Sequence, residues 1–358
     1  MSEWKKVCLG DLVTIRTGKR DANFGSPDGA YPFFTCARQI SRCRSYSFDC
    51  DAILLAGNCD ISNMQRYCGK FEAYQRTYVL TNKDDSISDL DYIWNCLRRD
   101  WVKVTLGKML GAAIQYIKLG MIKEFQIALP PLPTQKRIAD ILSAYDDLIE
   151  NNRRRMEILE ESARLIYRKM FGGKKANGTV AELASANDES YKAGCLPTEI
   201  NYIDISSVST GRIDTKTRMT AQNAPGRARR IARHGDVIWS NVRPNLKAYA
   251  LVLEPEAEDV FSTGFTVLRA KKNLYSYLYL AVTQDKFVSY LEGCVSGATY
   301  PAVRPADFLR AEVYVPSEDE GIAFQEYVEP MYDQVRVFAE ANRKLAEARD
   351  VLLPKLMN

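Results

Sequence analysis

Apolar residues recur at steps of three and four along Ile138, Leu142, Tyr145, Ile149, Met156, Leu159, Ile166 and Met170, with Asn152 and Ala163 filling the series. That spacing lays them on one stripe of an α-helix. Pro130-Pro131-Leu132-Pro133 makes a rigid lead-in, Thr134 is placed as an N-cap, and Gly172-Gly173 is a stop. At 1.5 Å per residue such a helix runs roughly 55 Å. That is long for a globular helix, and its other faces are charged. The pattern predicts a spacer or coiled-coil arm with one adhesive side.

The pattern returns. Residues 315–357 align with 129–171 at a constant offset of 186, placing Pro130 on Pro316, Ile138 on Phe324, Leu142 on Val328, Tyr145 on Met331, Ile149 on Val335, Leu159 on Leu345 and Ile166 on Leu352. The offset persists upstream, where Gly111-Ala112-Ala113 falls on Gly297-Ala298-Thr299. It slips by one at Asp51-Ala52-Ile53-Leu54 against Asp236-Val237-Ile238-Trp239. Ungapped agreement through a loop and a proline points to an internal duplication. Two arms with matching stripes are expected to pair antiparallel: Ile138, Leu142, Tyr145, Ile149, Met156, Leu159 and Ile166 of one against Phe324, Val328, Met331, Val335, Leu345 and Leu352 of the other. The globes would then lie at opposite ends of a rod, about a pseudo-twofold axis.

Globes are predicted at 1–129 and 174–316, arms at 130–173 and 317–358. In the first globe, short strands are expected at Pro32–Thr35, Ala52–Leu55, Thr77–Leu80, Ile114–Ile117 and Phe125–Ala128, with a helix over Leu90–Trp101. In the second, strands are expected at Tyr202–Ile205, Asp236–Ser240, Tyr249–Leu253, Thr266–Leu268, Tyr300–Val303 and Glu312–Val315, with a helix over Tyr275–Leu291. The fold class is α+β: two mixed α/β domains separated by two long α-helices that pair as an antiparallel coiled coil.

Composition changes this picture little. The chain has 358 residues, 46% hydrophobic and 26% charged, which is ordinary globular usage. A net charge of +4 permits a nucleic-acid partner without arguing for one. Nine cysteines, with no secretory signal and no apolar run of membrane length, predict a reducing cytoplasm and no membrane contact. Cys36, Cys43, Cys50, Cys59 and Cys68 are too widely spaced for a zinc knuckle. The single histidine, His234, sits in an Arg-rich loop and is expected to face solvent or phosphate. There is no phosphate loop, no glycine-rich nucleotide-binding turn, no Asn/Asp-Pro-Pro-aromatic tetrapeptide to hold a flipped adenine, and no convincing nuclease triad. The chain is expected to bind no metal or cofactor and to catalyse nothing alone.

Local charge is more informative than net charge. Residues 212–247 carry nine basic residues, Arg212, Lys216, Arg218, Arg227, Arg229, Arg230, Arg233, Arg243 and Lys247, against two acids, Asp214 and Asp236. The first globe has a counterpart in Arg16, Lys19, Arg20, Arg38, Arg42, Arg44, Arg66, Lys70 and Arg76, interleaved with Gln65 and other polar and aromatic residues. Arg and Lys supply phosphate contacts, and Arg and Gln can also reach base edges. These residues are the candidate DNA contacts.

The chain resembles the specificity subunits of type I restriction–modification systems. The residues that carry the likeness are the opening Trp4-Lys5-Lys6-Val7-Cys8-Leu9-Gly10-Asp11, then Tyr31-Pro32-Phe33-Phe34-Thr35 and Gly69-Lys70-Phe71-Glu72-Ala73. The most specific part is Leu129-Pro130-Pro131-Leu132-Pro133-Thr134-Gln135-Lys136-Arg137-Ile138-Ala139, with the helix ending Tyr167-Arg168-Lys169-Met170-Phe171. Gly235-Asp236-Val237-Ile238-Trp239-Ser240-Asn241-Val242-Arg243-Pro244 and Leu352-Leu353-Pro354-Lys355-Leu356-Met357 fit the same family. The resemblance implies two target recognition domains, each reading one half of a split double-stranded DNA site, with the helices as a ruler for the gap. It also implies modification subunits that carry S-adenosylmethionine and methylate adenine, and restriction subunits that use ATP and Mg. One departure is that Ser317-Glu318-Asp319-Glu320-Gly321 replaces Leu132-Pro133-Thr134-Gln135 in the second arm, so that junction is expected to differ. Two other readings stay open: a specificity module of a Type II-like methyltransferase, and a coiled-coil scaffold that binds proteins and no DNA.

Overall fold

The computed structural model describes residues 4–58, 60–108, 116–192, 194–295 and 302–357. Contacts divide them into two units. The first holds 1–150 with 342–358, and the second holds 151–341.

The first unit opens with β1 (Lys5–Cys8), a helical turn α1 (Leu9–Leu12) and β2 (Val13–Thr17). It continues through β3 (Tyr31–Phe34), β4 (Ser41–Cys43), β5 (Phe48–Ala56), β6 (Met64–Ala73) and β7 (Thr77–Asn82) to α2 (Leu90–Lys108), α3 (Leu119–Lys123) and β8 (Gln126–Leu129). Six strands form one sheet in the order β2-β7-β5-β6-β3-β4, and β1 pairs with β8 apart from it. Ala52 to Ala56 are buried at every position, as in a strand covered on both faces. One face packs Ile53, Leu55 and Leu80 against Tyr92, Ile93 and Leu97 of α2. The other is aromatic, with Phe48 stacked on Phe71 and Phe34 edge-on to it.

Two long helices, α4 (Leu132–Phe171) and, at the end of the chain, the helix over Glu318–Leu356, each contribute to both units. In the first unit, Ile138, Ala139 and Leu142 of α4 share a core with Leu353 of the terminal helix and with Met357 just past its end. The start of one helix therefore lies by the end of the other, which is antiparallel pairing. Asn342 Nδ2 donates to the Ile149 carbonyl at 3.1 Å along the same seam.

The second unit begins with β9 (Gly178–Thr179), the turn α5 (Val180–Leu183) and β10 (Ala184–Ala186). Next come β11 (Glu199–Ile203), β12 (Val208–Ser209), β13 (Arg212–Ile213), β14 (Thr217–Thr220), β15 (Ala228–Arg230), β16 (Val237–Ser240) and β17 (Tyr249–Leu251). β18 (Asp259–Ser262), β19 (Phe265–Ala270), α6 (Tyr275–Ala281), α7 (Asp285–Cys294), α8 (Pro305–Arg310), β20 (Glu312–Val313) and α9 (Glu318–Leu356) complete it. Its sheets run β10-β19-β16-β17 and β14-β11-β18-β15, with β20 paired to β9. Tyr167 and Phe171 at the end of α4 close on Phe324 at the start of α9 and on Tyr277, with ring centroids 5.0–6.1 Å apart.

The duplication holds at the elements that frame each unit. β1-α1-β2 corresponds to β9-α5-β10, α3 to α8, β8 to β20 and α4 to α9, and β2–β7 pairing is repeated by β10–β19. Even an isolated bridge recurs, Asn58 to Tyr116 in one unit and Val242 to Ala302 in the other.

Several sequence expectations are corrected. Thr134 does not cap α4: the helix begins at Leu132, and the Pro131 carbonyl accepts from the Thr134 and Gln135 N–H groups at 2.8 and 3.1 Å, so Thr134 lies inside the first turn. The single helix expected over Tyr275–Leu291 is two, because Gln284 takes an extended conformation that starts α7 afresh. The Arg-rich stretch before Asp236, expected as a loop, is cut by β13, β14 and β15. Gly111-Ala112-Ala113, Gly297-Ala298-Thr299, Cys59 and much of the strands expected at Ile114–Ile117 and Tyr300–Val303 lie outside the described residues.

Candidate nucleic-acid interface

Each long helix starts at a junction with its own globe. At the first, the buried Gln135 side chain ties α4 to the lead-in of α2. Its Oε1 accepts from Asp89 N–H at 2.9 Å, and its Nε2 donates to the carbonyls of Pro130 and Ile87 at 2.8 and 3.1 Å. Asp89 in turn caps α2 by accepting from Tyr92 N–H. At the second junction, where Gly321 stands in place of Gln135, the substitute is a capping box: Ser317 N–H donates to Glu320 Oε2 at 3.0 Å, and Glu320 N–H to Ser317 Oγ at 3.3 Å. Glu320 also pairs with Lys174 and accepts from the Tyr314 hydroxyl at 2.8 Å. Lys174 is the largest influence holding the Glu320 carboxyl at about 2.

In the first unit the candidate basic residues fall into three groups. Arg20, Arg38, Arg44 and Arg66 are held by carboxylates. Arg20 reaches the buried Glu72 at 3.3 Å, Arg38 reaches Asp60 and Ser62, Arg44 reaches Asp28, and Arg66 bridges Asp51 and Asp91. Burial lowers the Arg66 pKa, but hydrogen bonds and the charges of both acids raise it above the ordinary arginine value. Arg42 instead donates to the Gly29 and Ala30 carbonyls, and Lys70 lies over the Tyr46 ring at 5.0 Å. Arg16, Lys19 and Arg76 are exposed, with no carboxylate partner among the described residues; Arg16 sits 5.4 Å over the Phe48 ring.

Hydrogen bonds gather part of this set on one surface. Gln65 Nε2 donates to the Arg38 carbonyl and to Asn63 Oδ1, each at 3.4 Å. Asn63 Nδ2 donates to the Cys36 carbonyl, and the Cys36 thiol to the Arg76 carbonyl. Asn63 and Gln65 line one shallow depression floored by Phe34, Leu54 and Ala56, and the backbone of Arg38 and Arg76 is tied to its edge.

In the second unit most of the local positive charge is neutralised by acids distant in sequence. Arg212 pairs with Asp214, Lys216 with Glu256 and Asp259, Arg218 with Glu199, Arg227 with Asp204, Arg233 with Glu189 and Lys247 with Asp285. Three arginines remain without a carboxylate among the described residues: Arg229, Arg230 and Arg243. Arg229 and Arg230 lie on β15, an edge strand whose pairing with β18 shifts register between Ala228 and Arg230. Such a bulge re-aims side chains. Arg230 donates to Ser190 Oγ at 2.9 Å while its Nε is buried without a partner, and burial lowers its pKa. Arg243 is exposed at φ +50° beside the Pro244–Leu246 turn. His234 is exposed, edge-on to Tyr275.

On the helices, Ile138, Leu142, Phe324, Val328 and Val335 are buried, Ile166 and Met331 pack against the second unit's core, and Tyr145, Ile149, Met156, Leu159, Leu345 and Leu352 are half-buried. The stripe omitted Tyr167, Phe171, Tyr332, Leu353 and Met357, all buried. The duplication was the available signal, since Tyr167 maps to Leu353 and Phe171 to Met357. Among the described residues no three acidic, histidine or cysteine side chains are grouped to hold a metal, and no helix is long and apolar enough to cross a membrane.

Two α/β units, each built onto a pair of antiparallel helix segments and each carrying arginines without a carboxylate among the described residues, make a duplicated fold. The comparisons with known proteins agree. The family described as the type I restriction modification DNA specificity domain matches residues 1–161. The EcoDI specificity subunit of Escherichia coli is 41% identical over 155 residues, which cover 43% of this chain and 34% of that protein. The MjaVIII specificity subunit of Methanocaldococcus jannaschii is 19% identical across 99% of this chain and 92% of its own. The S subunit of the type I restriction–modification system from M. genitalium shares the fold, with a TM-score of 0.58 at 18% identity over 99% of this chain and 96% of that one. Residues 1–161 thus match the type I restriction modification DNA specificity domain, and the chain spans 34% of the length of the EcoDI subunit it resembles.

Proposed function

We propose that this chain recognises a bipartite double-stranded DNA target. The recognition domains, 1–129 and 174–316, each read one half-site, and the helices, 130–173 and 317–358, set the gap and dock modification subunits. The observation that carries this reading is the repetition: the framing elements occur twice, each copy has arginines without a carboxylate among the described residues, and residues 1–161 match a DNA specificity domain. Phosphate contacts by Arg16, Lys19, Arg76, Arg229, Arg230 and Arg243 position the domains, and polar side chains such as Gln65 reach base edges. S-adenosylmethionine belongs to the modification subunits; ATP and Mg belong to the restriction subunits. The complex works on chromosomal DNA in the cytoplasm.

The test is methylome sequencing of a host that expresses this chain with its cognate modification subunit. A new adenine-methylated motif with two defined halves and a fixed undefined gap is expected. An assembled complex that produces no new motif would leave a protein-binding scaffold as the better account.

A further inference from the structure

The duplication builds the seam between helix and globe twice, and at one position the two copies differ in chemistry. In the first unit, Asp146 of α4 receives one arginine on each carboxylate oxygen. Arg98 of α2 donates to Oδ2 and Arg349 of α9 to Oδ1, both at 2.6 Å. The side chains of Arg98, Asp146 and Arg349 are 19%, 36% and 16% exposed, so the triad is largely withdrawn from water. The offset of 186 carries Asp146 onto Tyr332 and Ala163 onto Arg349. In the second unit, Tyr332 and Ala163 are 2% and 0% exposed and share one core. A carboxylate between two arginines in one copy is thus an aromatic ring and a small residue in the other.

We propose that this position is a pairing key. It directs the start of α4 to the end of α9, and it rejects the pairing of like helices, α4 with α4 or α9 with α9, between two copies of this chain. The apolar positions beside it do not discriminate: Ile138 and Leu142 correspond to Phe324 and Val328 and are apolar in both copies. In an antiparallel pair of two α4 helices, the same register would set Asp146 against Ala163. In a pair of two α9 helices it would set Arg349 against Tyr332. Arg349 would then keep only its neighbour Asp350, and the Tyr332 ring would lose its small partner. Withdrawing an ion from water without its partner is penalised more heavily than the intact pair is rewarded. The discrimination therefore comes from the cost of the wrong partner. The same key keeps the start of α9 off the first globe, where Tyr332 would meet Arg98. Two similar repeats can then pair with each other in a fixed order and not like with like.

The experiment uses two differently tagged full-length copies expressed together. Wild type is expected to purify on either tag without the other copy. The double variant Asp146→Tyr/Arg349→Ala gives the first unit the chemistry of the second and is expected to co-purify and to show a dimer mass by light scattering. Wild-type copies that mix as freely as the variant would overturn the proposal, and so would a folded variant that stays unmixed. A thermal double-mutant cycle on Asp146→Ala and Arg349→Ala decides the matter if the swapped variant unfolds. The double variant is expected to lose clearly less Tm than the sum of the single losses, and additive losses overturn the key.

Discussion

Arg66 and Arg76 are both basic residues of the first unit, yet the structure gives them different work. Arg66 is held between Asp51 and Asp91. Removing it strands two half-exposed carboxylates, so Arg66→Ala is expected to lower unfolding stability by about 1–3 kcal/mol, below the value for a fully buried pair because solvent screens the acids. Arg76→Ala is expected to leave the denaturation midpoint within about 0.5 kcal/mol and to weaken DNA binding. The same distinction predicts salt dependence in the second unit. Arg229→Ala or Arg243→Ala should each reduce the slope of log affinity against log salt by about 0.9. Arg218→Ala should change it less, because Glu199 already occupies that guanidinium. Titrating DNA at several salt concentrations checks both. Glu320 supplies a pH signature. Its folded pKa, about 2, lies below the ordinary 4.5. Its contribution is therefore complete above 4.5 and is lost as pH falls from there towards 2. Glu320→Gln is expected to flatten the fall of the melting temperature across that window, and an unchanged acid slope would deny the junction this role.

At the scale of elements, the long helices, the duplication and the strands around Ala52, Thr77 and Asp236 were legible, because periodicity and a constant offset are local records of burial. What was not legible depends on distant residues. The acids that neutralise the stretch 212–247 include Glu189, Glu199, Glu256 and Asp285, which come near only when the sheets form. Gln135 looked like one more polar helix residue, yet it is buried with three hydrogen bonds. The break between α6 and α7 follows from the extended backbone at Gln284, where no glycine or proline marks it. The aromatic seam offers the element-scale test. Phe324 is fully buried against Tyr167, Phe171 and Tyr277. Phe324→Ala is expected to cost about 3–5 kcal/mol. Hydrogen exchange should show the loss around 318–332 and 163–171, with the core around Ile53 and Leu80 still protected.

At the scale of the molecule, the helices serve the proposed function only if their length is translated into DNA spacing. One helical turn is about four residues, or roughly 6 Å along the axis, and DNA advances about 3.4 Å per base pair. Shortening α4 by four residues within Arg153–Leu159 must be matched by four in the facing part of α9, around Phe338, which lies 5.6 Å from the Arg155 guanidinium. Such a variant is expected to recognise the same two half-sites across a gap shorter by about two base pairs, as read from its methylated motif. Loss of all methylation would be uninformative without assembly, so co-purification of the modification subunit is measured alongside. Methylation across an unchanged gap would mean that the spacing is set by the recognition domains, and the helices would then be a docking frame without the role of a ruler.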